Sequence, residues 1–336
     1  MDAVNDQMQA RLDKLKKLRE LGVNPYPYTF KRSHLIRVVR EQFDAFEKEA
    51  TPIKLCGRLI AFRRQGKTAF ANLKDPSGKI QLYCRMDVLG EKPYEIFKLL
   101  DYGDFIGITG AAFKTHTGEP SINVTGFELL SKSIRPVPVP KEKVGQNGEK
   151  IIYDEFKDLE LRSRMRYLDL ILNDSTQELF RKRTAAIQAV RGYLIERGYF
   201  EVETPTLQAI YGGASARPFV THHNSLDIDL YLRISNELYL KRLIVGGYER
   251  VFEFVKDFRN EGIDRTHNPE FTQVEFYEAY ADYQDMMVHF ENIYAVACRA
   301  VNGTTKITYG GRELDLTPPW KRMTLFQALK EFGNVD

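Results

Sequence analysis

Between Arg259 and Pro269 the sequence reads R-N-E-G-I-D-R-T-H-N-P. Arg259 and Arg265 can grip phosphate, while Glu261, His267 and Asn268 can hydrogen-bond a nucleotide. The flanking segments, Arg250 to Phe258 and Glu270 to Tyr280, read as two strands of a hairpin. The loop between them is too long for a simple turn, and long loops in compact domains are functional or disordered. Glu275 and Tyr277 lie two apart and so share a face of the second strand. A carboxylate at Glu275 is costly to bury unless it meets a cation.

A second group of residues lies between Lys54 and Arg85, where eight basic residues and one acid, Asp75, leave a net +7 in a chain of net +3. The remainder therefore carries −4. Phe62, Phe70 and Tyr83 interleave with these charges. The pattern fits equally a nucleic-acid surface, where bases stack and phosphates are neutralised, or a solvated sheet face. Phe70 and Asn72 share one face of a strand, and Gln81 and Tyr83 share one face of the next, which would set an aromatic beside an amide able to read a base edge.

The elements that must hold these groups follow from the pattern. Ile53 to Arg64, Thr68 to Leu73, Lys79 to Arg85, Phe105 to Phe113 and Ser121 to Leu129 read as strands, with a helix near Tyr94 to Leu100. Three strands, a helix and two strands is the order of an OB-fold barrel. Met8, Leu12, Leu15 and Leu18 predict an amphipathic helix ahead of it. Ile134 to Lys150 is proline-rich, then polar, and reads as a linker. Beyond it a long helix is predicted from Asp174, with Ser175 and Glu178 as a capping box and Phe180, Ile187, Val190 and Leu194 as one stripe. Tyr199 to Thr204 reads as a strand stopped by Pro205.

At 336 residues and 43% hydrophobic, the chain can build two cores. No apolar run is long enough to span a bilayer, and Met1 to Leu21 does not resemble a signal peptide. Cys56, Cys84 and Cys298 stand singly, without a C-x-x-C pair, which suits a reducing compartment and buried small side chains. A cytoplasmic protein without membrane association is expected. His222 and His223 are adjacent, so on a strand they point oppositely, which disfavours a shared metal. Gly212 and Gly246 begin no P-loop, because no G-K-[ST] follows.

F-R-N-E-G-I-D-R-T-H-N-P-E-F-T-Q-V-E-F-Y, Phe258 to Tyr277, resembles motif 2 of the class II lysyl-tRNA synthetases. G-Y-F-E-V-E-T-P-T-L-Q-A-I-Y-G-G-A-S-A-R-P, Gly198 to Pro218, is similar to motif 1 and the substrate loop after it. L-R-I-S-N-E-L-Y-L-K, Leu232 to Lys241, resembles a lysine-binding strand. The resemblance implies an α+β protein. Its parts are an N-terminal helical extension (1–50), an OB-fold anticodon-binding domain (51–133), a linker (134–150) and a class II catalytic domain (151–336) of antiparallel sheet with flanking helices.

It further implies lysine–tRNA ligase activity with L-lysine, ATP, Mg²⁺ and tRNA-Lys, in a homodimer that includes Pro205 in its interface. Arg259 would bind the α-phosphate and the lysine carboxylate, with Glu261, His267, Asn268 and Phe271 around ATP. Gly213 and Glu237 would hold the α-ammonium, and Glu275 and Tyr277 the ε-ammonium. Phe70, Gln81 and Glu119 would hold a uridine-rich anticodon.

The catalytic domain is expected to be C-terminally incomplete, because motif 3, its ATP-clamping arginine and the Mg²⁺-binding carboxylates are not met before Asp336. Tyr211 and Asn236 stand where the family pattern has proline. Two rival functions are a tRNA-binding module without catalysis and a ligase that modifies a protein; the OB domain weighs against the second.

Overall fold

A computed structural model describes residues 6–138, 141–144, 150–153 and 156–333, with side chains described for 6–138 and 156–333. Parts of the expected N-terminal extension (1–5) and linker (139–140, 145–149), residues 154–155 and the last three residues lie outside the described residues. The chain divides into two compact units, Met1–Asp169 and Leu170–Asp336.

The first unit begins with α1 (Asp6–Glu20), whose Leu15 and Leu18 are buried as the spacing predicts. Two short helices follow, α2 (Ile36–Glu41) and α3 (Phe43–Glu49). Then come β1 (Ile53–Gln65), β2 (Thr68–Asp75), β3 (Gly78–Arg85), α4 (Met86–Leu89), α5 (Glu91–Lys98), β4 (Phe105–Lys114) and β5 (Pro120–Ser131). The five strands close a barrel in the order β1-β2-β3-β5-β4, with only the β3–β5 pair parallel. This is the expected OB order.

Alternation sorts the side chains: along β2, Ala69, Ala71 and Leu73 are buried inside, so Phe70 and Asn72 lie on the other face. The β1–β2 pair approaches closely at Gly57, where a Cβ would stand 2.4 Å from the Lys74 carbonyl oxygen. The turn between β2 and β3 is tied by Asp75, whose Oδ1 accepts from Ser77 N (2.7 Å), Ser77 Oγ (2.6 Å) and Gly78 N (3.0 Å). Its Oδ2 accepts from Ile36 N at 3.0 Å, at the start of α2. A hairpin of β6 (Lys141–Val144), inside the stretch predicted as linker, and β7 (Lys150–Tyr153), starting at its last residue, crosses the predicted boundary. The helices α6 (Leu159–Arg164) and α7 (Arg166–Leu172) follow.

The second unit is organised around α8 (Asp174–Glu196), β8 (Phe200–Glu201), β12 (Arg250–Phe258), β13 (Glu270–Glu278) and α10 (Tyr283–Asn302). Between β8 and β12 lie β9 (Leu207–Gln208), β10 (Val220–His223), β11 (Ile228–Leu232) and α9 (Glu237–Val245). The unit ends with a hairpin, β14 (Lys306–Tyr309) and β15 (Arg312–Asp315), and with α11 (Leu325–Gly333). β12 and β13 are antiparallel, and β8 joins β12 in parallel.

The register fixes which residues share a face: Val251 opposes Tyr277, Glu253 opposes Glu275, Val255 opposes Gln273 and Asp257 opposes Phe271. The opposite face carries Phe252, Phe254, Val274 and Phe276, which pack with Val190, Tyr193 and Leu194 of α8 and Ile293 of α10. One face of the sheet is therefore core, and the other carries the polar groups.

Three expectations change. The capping box predicted at Ser175 and Glu178 is not formed; α8 starts after Asn173 without a side-chain cap, and the capping box is at α10, between Asp282 and Asp285. In the stripe on α8, Val190 and Leu194 are buried but Phe180 is 42% exposed. The strand predicted over Tyr199 to Thr204 shrinks to β8, because Thr204 turns its N–H (2.9 Å) and Oγ1 (2.8 Å) to the Glu253 carboxylate.

Candidate functional site

Of the charged residues singled out in the sequence, Glu275 lies on the polar face of β12 and β13, together with Glu253 and Asp257. Glu253 and Glu275 stand directly opposite each other, a like-charge pair that is destabilising unless each charge is compensated. Glu253, 3% exposed, has its cation: Arg233 Nη1 lies 3.2 Å from its Oε1. Asn236 Nδ2 donates to Glu253 Oε2 at 2.8 Å, which adds to the two bonds from Thr204. Arg233 also donates to the carbonyls of Lys256 and Thr204, both at 2.9 Å. This network leads the chain from β11 across the sheet to α9.

Leu232 to Lys241, predicted as a strand, is therefore the end of β11, a buried crossing at Arg233 to Asn236 and the start of α9 at Glu237. At Asn236, where the resemblance has proline, the amide binds Glu253 and its Oδ1 is buried without a hydrogen-bond partner.

Glu275 has donors but no ion-pair cation among the described residues. Gln273 Nε2 donates to its Oε1 at 2.8 Å, Tyr277 Oη to its Oε2 at 3.2 Å, and Ser235 Oγ lies 3.4 Å from Oε1. Burial pushes the Glu275 carboxyl above the usual range; the Tyr277 hydroxyl counters this, Glu237 adds to it, and Ser235 and Gln273 counter it. Burial likewise raises the Tyr277 hydroxyl, reinforced by Glu275 and Glu237.

Glu237 opens α9, with its N–H donating to Ser235 Oγ at 3.1 Å and its Oε1 accepting from Lys241 Nζ at 2.6 Å. Lys241 Nζ also lies 5.9 Å from the centre of the Tyr277 ring. Gly213, at φ +88°, packs so closely that a Cβ would meet Ser235 Oγ at 2.9 Å and Glu237 Cβ at 3.1 Å. Gly213, Glu237, Glu275 and Tyr277 are thus gathered around Ser235.

Arg259 follows directly on β12, and its guanidinium lies 5.1 Å from the centre of the Phe271 ring. Its N–H donates to the Pro269 carbonyl at 2.8 Å, closing the loop, while its Nε is buried without a partner. The loop itself is exposed. Asp264 organises it, accepting from Thr266 N (2.7 Å) and His267 N (2.8 Å), with His267 Nδ1 2.7 Å from its Oδ2. These bonds hold the Asp264 carboxyl well below its usual range. His267 is therefore turned to Asp264. Glu261 Oε1 lies 3.4 Å from Arg217 N, and Asn268 Nδ2 donates to the Glu270 carbonyl at 2.5 Å. Pro205 is exposed. His222 lies 3.0 Å from Asp229 Oδ1 and 3.2 Å from Asp227 Oδ1.

In the barrel, Phe70 opposes Tyr83 and Asn72 opposes Gln81 across β2 and β3, so the four share one face. Phe70 stacks on Tyr83 with ring centres 4.8 Å apart and planes at 26°. A cavity of about 610 Å³ opens here, lined by Phe70, Asn72 and Gln81 with Arg63, His116 and Glu119. Gln81 Oε1 accepts from Ser121 Oγ at 2.8 Å. Thr115 Oγ1 accepts from Glu119 N at 3.0 Å, shaping the loop at the rim. Among the eight basic residues of the stripe, Arg63 alone lines the cavity. Arg58 donates to the Gly103 carbonyl (2.8 Å), Arg64 to the Lys98 carbonyl, and Arg85 pairs with Asp87. Part of the stripe is therefore spent on the fold and not on the cavity.

Two family models match the chain: "tRNA synthetases class II (D, K and N)" over residues 158–336 and "OB-fold nucleic acid binding domain" over residues 53–130. The chain belongs to the class II tRNA synthetases of the D, K and N group. Among curated proteins it is 50% identical over 333 residues to the lysine–tRNA ligase of Clostridium novyi, covering 99% of this chain and 62% of the relative. It is 50% identical over 336 residues to those of a Thermoanaerobacter species (strain X514) and Moorella thermoacetica, covering all of this chain and 64% and 66% of the relatives. The chain thus spans slightly less than two thirds of the length of these relatives.

Several residues of this synthetase-family site escaped the sequence reading. Gln273 continues the alternation of Phe271, Glu275 and Tyr277, and Asp257 lies two before Arg259, so period-2 counting alone could have found both. Ser235 and the Arg233–Glu253 pair carry no local signal, because they are joined only by tertiary contact.

Proposed function

We propose that this chain carries the lysine-activating and anticodon-binding parts of a lysine–tRNA ligase acting in the cytoplasm. The observation that carries the reading is the imbalance on the polar sheet face: Glu253 has Arg233, whereas the half-buried Glu275 opposite has donors but no ion-pair cation among the described residues. A substrate with an ammonium on a long apolar stem supplies that cation. Glu275 and Tyr277 receive the ε-ammonium, and Glu237 with the carbonyl of Gly213 receives the α-ammonium. A site built to pair a buried charge rejects an uncharged isostere strongly.

In the proposed reaction a lysine carboxylate oxygen bonds to the α-phosphorus of ATP as the bond to the leaving pyrophosphate breaks. Arg259 sits against the charge that builds up there, held by the Phe271 ring and by the backbone at Pro269. Phe271 offers the stacking plane for adenine, with Glu261, His267 and Asn268 around the nucleotide. The lysyl group then passes to the terminal ribose of tRNA-Lys, while Phe70 stacks a base of its anticodon and Gln81 and Glu119 meet base edges. Pro205, exposed, meets a second copy of the chain. Mg²⁺ belongs to this chemistry by family, but among the described residues no group of three His, Cys, Asp or Glu side chains is disposed to hold a metal. Among the described residues no helix is long and apolar enough to cross a membrane.

Lysine-dependent exchange of pyrophosphate into ATP tests the reading. Exchange with lysine and not with aspartate or asparagine is expected; exchange with either of those instead would overturn it.

A further inference from the structure

The polar face holds a third buried acid, and the roles assigned above do not use it. Asp257 is 0% exposed and lies on the same face as Glu253, two residues before Arg259. No cation among the described residues is given to it alone. Arg233, its nearest cation at 3.5 Å, already has Glu253 and two backbone carbonyls, and Asp257 Oδ1 has no hydrogen-bond partner. What Asp257 does hold is the Gln273 amide. Gln273 Nε2 donates to Asp257 Oδ2 and, at 2.8 Å, to Glu275 Oε1. A primary amide has two N–H groups, and both are committed here to carboxylates on either side.

We propose that Asp257 is a positioning residue for Glu275, acting through the Gln273 amide that bridges the two carboxylates. This rests on the reading of Glu275 as the receptor of the substrate's ε-ammonium. The bridge does two things. It fixes the amide with nitrogen, not oxygen, toward Glu275, so one carboxylate oxygen is pinned and the other stays with Tyr277. It also places a second negative charge behind the first, strengthening the attraction for a cation.

The groups facing Asp257 are Arg233, Glu275, Glu253 and Arg259. Burial pushes its carboxyl up to about 6, eased by Arg233 and reinforced by Glu275 and Glu253. Below that pH Asp257 takes up a proton and the second charge is lost. Glu275 is also raised, so cation binding in acid must displace protons from both groups.

Lysine binding to the 336-residue chain, measured by calorimetry from pH 5 to 8, tests this. In the unaltered chain the affinity should rise as pH is raised through about 6, then level off. Asp257→Asn keeps an oxygen that can accept from Gln273 and removes only the charge. It should weaken binding about five- to tenfold at pH 7.5 and flatten the rise through about pH 6. Asp257→Ala and Gln273→Leu should each weaken binding, and the double variant should be no worse than the weaker-binding single.

An unchanged rise with pH in Asp257→Asn, or losses that multiply in the double variant, would overturn the proposal while leaving Glu275 as the receptor. Failure of the unaltered chain to bind lysine would overturn the Glu275 reading itself, and this inference with it.

Discussion

The two polar surfaces of this chain are built on opposite principles. On the barrel, cations outnumber anions eight to one between Lys54 and Arg85, yet much of that charge is used by the fold. Arg58 and Arg64 fasten loops, Arg85 has Asp87, and the one acid, Asp75, ties a turn. What remains at the cavity is Phe70, stacked on Tyr83 behind it, the amides of Gln65, Asn72 and Gln81, and a single arginine beside His116 and Glu119. On the sheet of the second unit the face gathers Glu253, Asp257 and Glu275, and one buried arginine serves the first two. Net charge along a sequence thus says little about a surface. What matters is which charges the fold leaves without an ion-pair partner, and on this face, among the described residues, that is the carboxylate of Glu275.

Removing the charge of Glu275 should break that contrast most strongly. Glu275→Gln is expected to weaken lysine binding about 100-fold, the order found on truncating one partner of a buried charge pair, with binding of an anticodon stem-loop unchanged. Phe70→Ala is the reciprocal test. It should cost about tenfold in stem-loop affinity, as loss of one base-stacking plane does, with lysine binding unchanged. Titration of both ligands into both variants checks the separation.

Arg63→Ala sharpens the barrel's half of the comparison. If Arg63 is the cation left for phosphate, its loss should lower the slope of log affinity against log salt by about one, whereas Arg64→Ala should lower melting temperature and leave the slope unchanged. The smallest effect concerns stability. Asp257 has a folded pKa of about 6 against an ordinary 3.8, so its contribution is fully present below about pH 4 and is lost as pH rises through 6. Asp257→Asn should therefore melt a few degrees higher than the unaltered chain at pH 7.5, with the gain gone at pH 4. Thermal melts at the two pH values check this.

Much of the fold was legible because both barrel and hairpin announce themselves by alternation. β2 and β3 fall where Thr68 to Leu73 and Lys79 to Arg85 predict them, and the two strands around the loop at Arg259 begin at the predicted residues. The failures have a common cause. Thr204 would continue β8 by its local pattern, but its hydrogen bonds go to Glu253, forty-nine residues on. Leu232 to Lys241, taken as a strand on the family resemblance, bends out of β11 because Arg233 and Asn236 are both spent on the same Glu253. A buried carboxylate that collects distant donors overrides local preference, and no window of sequence contains both partners. The alternation that revealed Glu275 and Tyr277 also held Gln273, whose importance becomes visible only once Asp257 is seen beside it.

The central claim, that the sheet face is an anion pocket awaiting an ammonium group, is tested most directly by calorimetric titration of lysine against norleucine, which keeps the stem and lacks the ε-ammonium. Lysine should bind at least about 100-fold more tightly to the unaltered chain, and Glu275→Gln should remove most of that preference. Equal binding of the two, or a preference for lysine that survives in Glu275→Gln, would contradict the account.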